Sequence, residues 1–228
     1  MTKLNTRTHY PLTVDCVIFG YDTIDMQLKV ALIERKQAPF IGYWALPGGF
    51  VIDDETVEQA AIRELQEETG IHDIYLEQFH VFSDPSRDPR GRVITVAFFA
   101  LIKSDNLELI ATQDAASAQW FSAYKIPKLA FDHDEIYSKA LETLRIAIKN
   151  KPLIFQLLPE LFTLSMLQNI YEQIIGSSID KRNFRKKISK TTFIHQTTKT
   201  TQGGSHRPAR LYKFNKNHYT QSSLLELF

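Results

Sequence analysis

Between Gly48 and Ile71 the chain sets a glycine pair, Gly48-Gly49, ahead of a stretch in which Glu64, Glu67 and Glu68 fall at positions i, i+3 and i+4. In a helix, residues so spaced lie within about 100° of one another around the axis, so three carboxylates share one side. Val57, Ala60, Ala61 and Leu65 fall around that same side, so the glutamates border the packed face instead of occupying the solvent face. Carboxylates gathered in a partly buried site repel one another unless a cation compensates, and hard oxygen donors suit Mg²⁺ or Mn²⁺. The spacing predicts a helix from about Glu55 to Thr69, with Gly70 as its stop. Arg63 can pair with Glu67 or, after the chain curves, with Glu55. Gly48 and Gly49 allow backbone to approach a metal or phosphate closely, and suit a plain tight turn equally well.

The flanking segments supply a framework for this helix. Thr13 to Gly20 and Leu28 to Ile33 are β-branched and apolar runs separated by a polar turn, and read as a hairpin. Tyr75 to Phe82 and Arg92 to Ile102 read as further strands, with a short one at Trp120-Phe121. A helix opening at Asp132 or His133 carries apolar residues at Ile136, Ala140, Leu144 and Ile148. Strands mixed with two helices predict an α/β sandwich. The loop Arg87-Asp88-Pro89-Arg90-Gly91-Arg92 holds three guanidinium groups, suited to bidentate phosphate or carboxylate recognition, or else to pairing with Asp84 and Asp88 in a solvated loop. Phe40, Tyr43 and Trp44 are candidates for stacking on a base or for the core. Glu108 and Asp114 are further acids, but spacing selects neither as a general base.

At Lys149-Asn150-Lys151-Pro152 the proline ends a helix and the charge balance changes sign. Residues 1–150 hold 15 Lys and Arg against 22 Asp and Glu, and residues 151–228 hold 12 against 4. A basic end implies an anionic partner. Within it, Leu164, Leu167, Ile170, Tyr171 and Ile174 keep helical spacing behind a Thr163 or Ser165 cap, with Gly176 as the stop. A second helix over Asp180 to Ile188 docks through Phe184 and Ile188, while Lys181, Arg182, Arg185 and Lys186 point around its other side. This is the pattern of a recognition helix whose early residues, Asn183 among them, meet base edges in a major groove. Thr192 to Gln196 and Leu211 to Phe214 are expected to form a wing, with Arg207 and Arg210 following Gly203-Gly204 as a basic loop against phosphate or a minor groove. Cys16, the only cysteine, excludes an intrachain disulfide and a cysteine-based zinc site. Met1 to Pro11 lack the apolar core of a secretory signal, and no apolar run reaches bilayer length, so a cytoplasmic protein without a membrane partner is expected.

Gly49, Glu55, Arg63, Glu64, Leu65, Glu67, Glu68, Gly70 and Ile71 match the Nudix box at every position. That resemblance implies a loop-helix-loop that binds a divalent cation, Mg²⁺ or alternatively Mn²⁺, for hydrolysis of a nucleoside diphosphate linked to another moiety. By it Gly48, Glu64, Glu67 and Glu68 hold the metal, the three glutamates are catalytic, and Arg63 orients a catalytic glutamate. The loop 87–92 resembles the ADP-ribose pyrophosphatase branch, in which Gly49, Arg87, Arg90 and Arg92 would contact ADP-ribose or a related nucleotide. Leu161-Phe162-Thr163-Leu164, Asp180 to Lys186 and Arg207 to Phe214 look like the winged helix of the Nudix-related transcriptional regulators, the NrtR family. The implied fold is α+β, a Nudix α/β/α sandwich over residues 1–150 followed by a winged helix-turn-helix domain over residues 151–228. The implied protein is a homodimer on double-stranded operator DNA of NAD metabolism genes. Many such regulators carry a decayed Nudix box, whereas every signature carboxylate is retained here, which argues that hydrolysis persists. Two other readings are a housekeeping ADP-ribose pyrophosphatase whose tail is a dimerisation element, and a sugar-responsive regulator without catalysis.

Overall fold

Strand β1 (Leu12–Asp22) is buried along almost its whole length in the computed structural model, and accordingly lies inside a sheet and not at its edge. The structure describes residues 9–105, 107–111, 115–202 and 208–218. β2 (Gln27–Arg35) flanks β1, and β3 (Trp44–Ala45) flanks β2 in turn. On the other side of β1 come β6 (Ile94–Lys103) and then β5 (Glu77–Phe82), giving the order β3-β2-β1-β6-β5. β4 (Gly48–Phe50) pairs with β1, and β7 (Ala115–Ser122) pairs with β2. The register of β4 against β1 sets Asp15 opposite Gly48 and Val14 opposite Gly49, and so fixes where the glycine pair sits. The strand expected only at Trp120-Phe121 is eight residues long, because its alternating polar residues Ser117 and Gln119 disguise a paired segment.

Helix α1 (Val57–Thr69) opens directly behind the N-cap Thr56 with a capping box. Thr56 accepts from the Gln59 amide while Gln59 returns a bond to the Thr56 amide, so Glu55 lies before the helix and not within it. Gly70, with φ of 73°, closes the other end in the left-handed conformation that glycine adopts at least cost. Helix α2 (His133–Asn150) buries Ile136, Ala140, Leu144 and Ile148, the stripe expected from their spacing.

By its contacts the chain divides into two compact units that interleave in sequence. One comprises Met1–Ile18, Val30–Ala100 and Glu108–Ala140, and contains the acidic helix; the other comprises Phe19–Lys29, Leu101–Leu107 and Leu141–Phe228. Within the second unit, α3 (Leu164–Ile175) is capped by Thr163 and stopped by Gly176, as its sequence predicts. The Tyr21 hydroxyl donates to Asn169 Oδ1 of this helix at 2.8 Å, which ties the tip of the β1–β2 hairpin into the unit. α4 (Lys181–Ile188) follows, with Asp180 as its cap. The turn before it is held by Glu172, whose carboxylate accepts from the Ile179 amide and from Gln168. β8 (Ile194–Thr200) and β9 (Arg210–Phe214) form the antiparallel wing. β8 runs four residues beyond the expected end, since Thr197 donates to the Leu211 carbonyl and the Thr201 amide to that of Ala209. Phe155 stacks on Phe214 at 4.0 Å between Phe162 and Phe193, giving this unit an aromatic core. Among the described residues no helix is long and apolar enough to cross a membrane.

Candidate functional site

A cavity of about 350 Å³ opens in the first unit where β4 meets α1. Its acidic wall is Glu64 and Glu68. Glu68 is only 5% exposed, and its Oε2 accepts from the Gly48 amide at 2.8 Å. Glu64 lies directly over Gly49, where a Cβ would fall 2.3 Å from Glu64 Oε1. A Cβ on Gly48 would fall 2.1 Å from the Val14 carbonyl, so both glycines are required by close approach and not merely by a turn. Glu67 does not line the cavity: half exposed, it turns to Arg63 NH1 at 3.2 Å. Arg63 ties the set together. It donates to both oxygens of Glu55, to Glu64 and to the Phe50 carbonyl. The Arg63 fork holds the Glu55 carboxyl at about 2, and Glu55 in return pushes the arginine upward.

The donor chemistry of this wall fits a divalent cation. Two nearly buried carboxylates meet a backbone cradle, all with hard oxygen donors, and Mg²⁺ is commonly held by one or two carboxylates with substrate phosphate and water completing the shell. Among the described residues no three His, Cys, Asp or Glu side chains already converge on one point. Glu64 and Glu68 are the side chains of this wall that would hold such an ion, with Arg63 and Glu55 fixing the orientation of the first. Substituting Gly49 by Ala should displace the flexible end of Glu64 without unfolding the helix. The expected result is a loss of magnesium affinity of about tenfold or more, read by titration calorimetry beside an unchanged melting curve.

The floor of the cavity is a buried network that the sequence did not disclose. Asp15, Arg87 and His133 all line it. Arg87 donates from Nε and NH2 to the two oxygens of Asp132, each at 2.8 Å, and from NH2 to Asp15 at 3.4 Å. His133 Nδ1 accepts from the Leu46 amide at 3.0 Å, so the ring proton sits on Nε2, which faces Asp15 Oδ1 at 3.3 Å. Burial pushes the His133 pKa down, keeping the ring neutral. Arg87 thus lines the cavity floor as a buried cation bonded to carboxylates of its own chain. Cys16, behind this floor, is buried and donates to the Ala61 carbonyl, and burial pushes its thiol up.

The cationic wall is Arg35 and Arg90, both over the ring of Phe131, at 4.7 and 5.3 Å. Burial, then repulsion from Arg90, lowers the Arg35 pKa. Burial works to raise the Asp88 carboxyl, but the Arg90 fork overcomes it and holds Asp88 below the usual range. Phe131 sits at φ of 54°, an unusual conformation for a bulky residue and one that marks functional sites. Arg35 and Phe131 went unnoticed in the sequence because nothing local distinguishes an arginine ending a strand. Arg92 stands apart from this cavity, over the Tyr10 ring at 5.5 Å. Phe40, Tyr43 and Trp44 do not line it either: Phe40 packs on Phe131 and a core cluster, and Trp44 meets Phe121 edge-on. Glu108 is exposed and away from it; Asp114 lies outside the described residues.

In the second unit, α4 carries Lys181, Arg182, Asn183, Arg185 and Lys186 exposed, while Phe184 and Ile188 are buried. Tyr171 of α3 meets Phe184 edge-on at 6.1 Å, which fixes the rotation of α4 and turns its basic side outward. Arg185 and Arg210 line one cavity between α4 and the wing. Arg207, with Gly203 and Gly204, lies outside the described residues.

Comparison with known proteins agrees with both halves. Residues 9–142 match the NUDIX domain family, whose members generally use a divalent metal, and residues 154–214 match the NrtR DNA-binding winged helix domain. The chain is 38% identical to the ADPR-responsive transcriptional repressor NtrR of Acinetobacter baylyi, covering 93% of this chain and 86% of that protein. It is 47% identical to an ADP-ribose pyrophosphatase of Methanocaldococcus jannaschii, over 60% of this chain and 76% of that one. The crystal structure of Shewanella oneidensis NrtR complexed with a 27mer DNA superposes with a TM-score of 0.74 at 34% identity, covering 90% of this chain and 93% of that chain. A Nudix domain with every box residue in place, followed by a DNA-binding winged helix, makes this chain a member of the NrtR family of Nudix-related transcriptional regulators.

Proposed function

We propose that this protein is a cytoplasmic repressor whose grip on operator DNA is set by ADP-ribose, and that it retains magnesium-dependent hydrolysis of that ligand to AMP and ribose 5-phosphate. The observation that carries this reading is one cavity with buried Glu68 and largely shielded Glu64 on one wall and Arg35 and Arg90 on the other. A diphosphate needs both: cationic groups for its charge and a cation site at the bridging bond. A magnesium ion bound there would polarise the diphosphate and lower the pKa of an attacking water. The chain's own part is positional. Arg35 and Arg90 would take the phosphate oxygens, while Arg63 holds Glu64 beside the glycine cradle and Glu68 anchors Gly48 in the cavity wall. Relatedness to an ADPR-responsive repressor and to an ADP-ribose pyrophosphatase supports the choice of nucleotide.

On the DNA side, the exposed residues of α4 enter a major groove and Arg210 follows the phosphate backbone. A homodimer on a palindrome, regulating genes of NAD metabolism, follows from the family and the two-fold logic of such operators. The dimerisation-only reading of the tail gives way to the match with a DNA-binding domain. Fluorescence anisotropy on a labelled operator duplex tests the proposal. ADP-ribose should weaken binding, and Lys186→Ala should weaken it on every sequence while reducing the salt slope by about one. Equal operator affinity with and without ADP-ribose would sink the sensing half.

A further inference from the structure

The chain reaches the glycine cradle through a break in the sheet. β3 ends at Ala45 and β4 begins at Gly48, so Leu46 and Pro47 lie between two short strands, and Pro47 has no amide to donate. Three bonds fasten this stretch to the rest of the first unit. The Ala130 amide donates to the Trp44 carbonyl at 2.8 Å, the Cys16 amide to the Pro47 carbonyl at 2.8 Å, and the Leu46 amide to His133 Nδ1 at 3.0 Å. The first two run between backbone groups and do not depend on residue type; the third depends on one side chain. We propose that His133 is a positioning residue for the diphosphate chemistry of this cavity, holding the Gly48-Gly49 cradle in fixed relation to the arginine wall; the inference rests on the functional reading above.

His133 lines the cavity and meets it on three sides. Leu46 is buried, so its amide needs a partner from the protein, and Nδ1 supplies it. The ring proton on Nε2 then faces Asp15 Oδ1 at 3.3 Å. Asp15 stands opposite Gly48 in the register of β1 and β4, and a Cβ on Gly48 would fall 3.0 Å from that same Oδ1. The imidazole therefore reaches the cradle twice, through the residue two positions before Gly48 and through the carboxylate beside it. Its third contact is Phe131, with ring centroids 5.4 Å apart, and Phe131 carries the Arg35 and Arg90 guanidinium groups over its own ring. Contacts thus run without interruption from the arginine wall through Phe131 and His133 to the glycines.

The residue type matters because both ring nitrogens are used. A neutral imidazole accepts from Leu46 on one side while donating to Asp15 on the other, and glutamine offers the same pair of groups at similar reach. Phenylalanine keeps a ring against Phe131 but has neither group, and would leave the Leu46 amide buried and unpaired. An unpaired amide draws its segment toward another acceptor or toward water, and Gly48 and Gly49 move with it. Shifts of that kind cost about tenfold or more in rate, since a misplacement of about 1 Å costs about a hundredfold.

Three variants of the full chain test this: His133→Phe, His133→Gln and Leu144→Ala, the last opening a void in the core farther along α2 and lowering stability without touching the cavity. Release of AMP from ADP-ribose with magnesium is followed well below every melting temperature. His133→Phe should lower kcat about tenfold or more and leave KM nearly unchanged, His133→Gln should stay close to wild type, and Leu144→Ala should match it. Amide hydrogen exchange reads the same positioning without turnover: Leu46 and Gly48 should exchange faster in His133→Phe and remain protected in His133→Gln. Wild-type kcat in His133→Phe would overturn the proposal. An equal loss in His133→Gln would also overturn it, making ring packing and not the two bonds the cause, as would an equal loss in Leu144→Ala, which reduces the effect to stability. Faster exchange at Leu46 with Gly48 unmoved would confine the bond to Leu46 and overturn it too. Failure of the wild type to release AMP would instead sink the hydrolytic reading, while exchange at Gly48 still decides whether His133 holds the cradle.

Discussion

Replacing Glu68 by glutamine is expected to lower magnesium-dependent release of AMP from ADP-ribose by about a hundredfold or more, the effect of removing one preorganised charge from a reaction centre. Glutamine keeps an oxygen for the Gly48 amide, so the contact that seats β4 on α1 survives and the chain melts as the wild type does. What disappears is one negative charge, in a position almost closed to solvent. Of the carboxylates lining the cavity, only Glu64 and Glu68 come from the acidic helix, so a single neutralisation removes half of what that helix contributes. Glu67→Gln should do much less, because Glu67 is turned away toward Arg63 and half exposed. The contrast is the informative measurement. Equal losses at the two positions would mean that the acidic helix rotates on loading, and normal turnover in Glu68→Gln would remove that residue from the chemistry. Operator release by ADP-ribose, followed in the same variant, separates sensing from turnover.

Asp132→Ala should be the most destabilising single change in the first unit. Arg87 is buried with its side chain 4% exposed, and Asp132 meets it with two bonds of 2.8 Å. Removing Asp132 leaves a buried guanidinium facing only Asp15, at 3.4 Å. Breaking a buried pair from one side costs about 3–5 kcal/mol. For a chain of this size that is a fall in Tm of roughly 6–20 °C. Replacing both partners, as Arg87→Met with Asp132→Leu, should recover most of the loss, since paired removal leaves no charge unpaired. Thermal and urea denaturation of the three proteins decide the matter. A single variant as stable as wild type would show that Arg87 finds another partner or reaches solvent. Asp15 should also lose its fixed orientation in Asp132→Ala, linking the stability of the floor to the quality of the site.

How much was legible depended on how far apart in sequence the cooperating residues are. The acidic helix, its glycine stop and its arginine pairing were readable, because i, i+3 and i+4 relations are local and a helix executes them directly. The same holds for α3 and α4, whose caps at Thr163 and Asp180 and whose buried stripes follow from short-range spacing. Arg87, Arg90 and Arg92 were legible only as a group. Their separate fates could not be read from six consecutive residues, since one is buried against Asp132, one stands over Phe50 and Phe131, and one lies over Tyr10. The convergence of Glu67 with Glu64 and Glu68 was expected from angle alone, and the Arg63 fork redirected it.

By itself the sequence determined the chemistry available to this protein: acidic donors behind a glycine pair in one half, a basic helix and wing in the other, each encoded within a few helical turns. Tertiary structure decided which groups share a cavity. Leu46 and His133 bond across 87 positions, Arg87 and Asp132 across 45, and Tyr21 reaches Asn169 across 148. Such partnerships are set by strand register and helix docking, which depend on the whole core and leave no periodic trace in any one segment. The hairpin tip at Phe19–Lys29 joins the unit of the winged helix for the same reason, because contacts made in three dimensions, not position along the chain, define a compact unit.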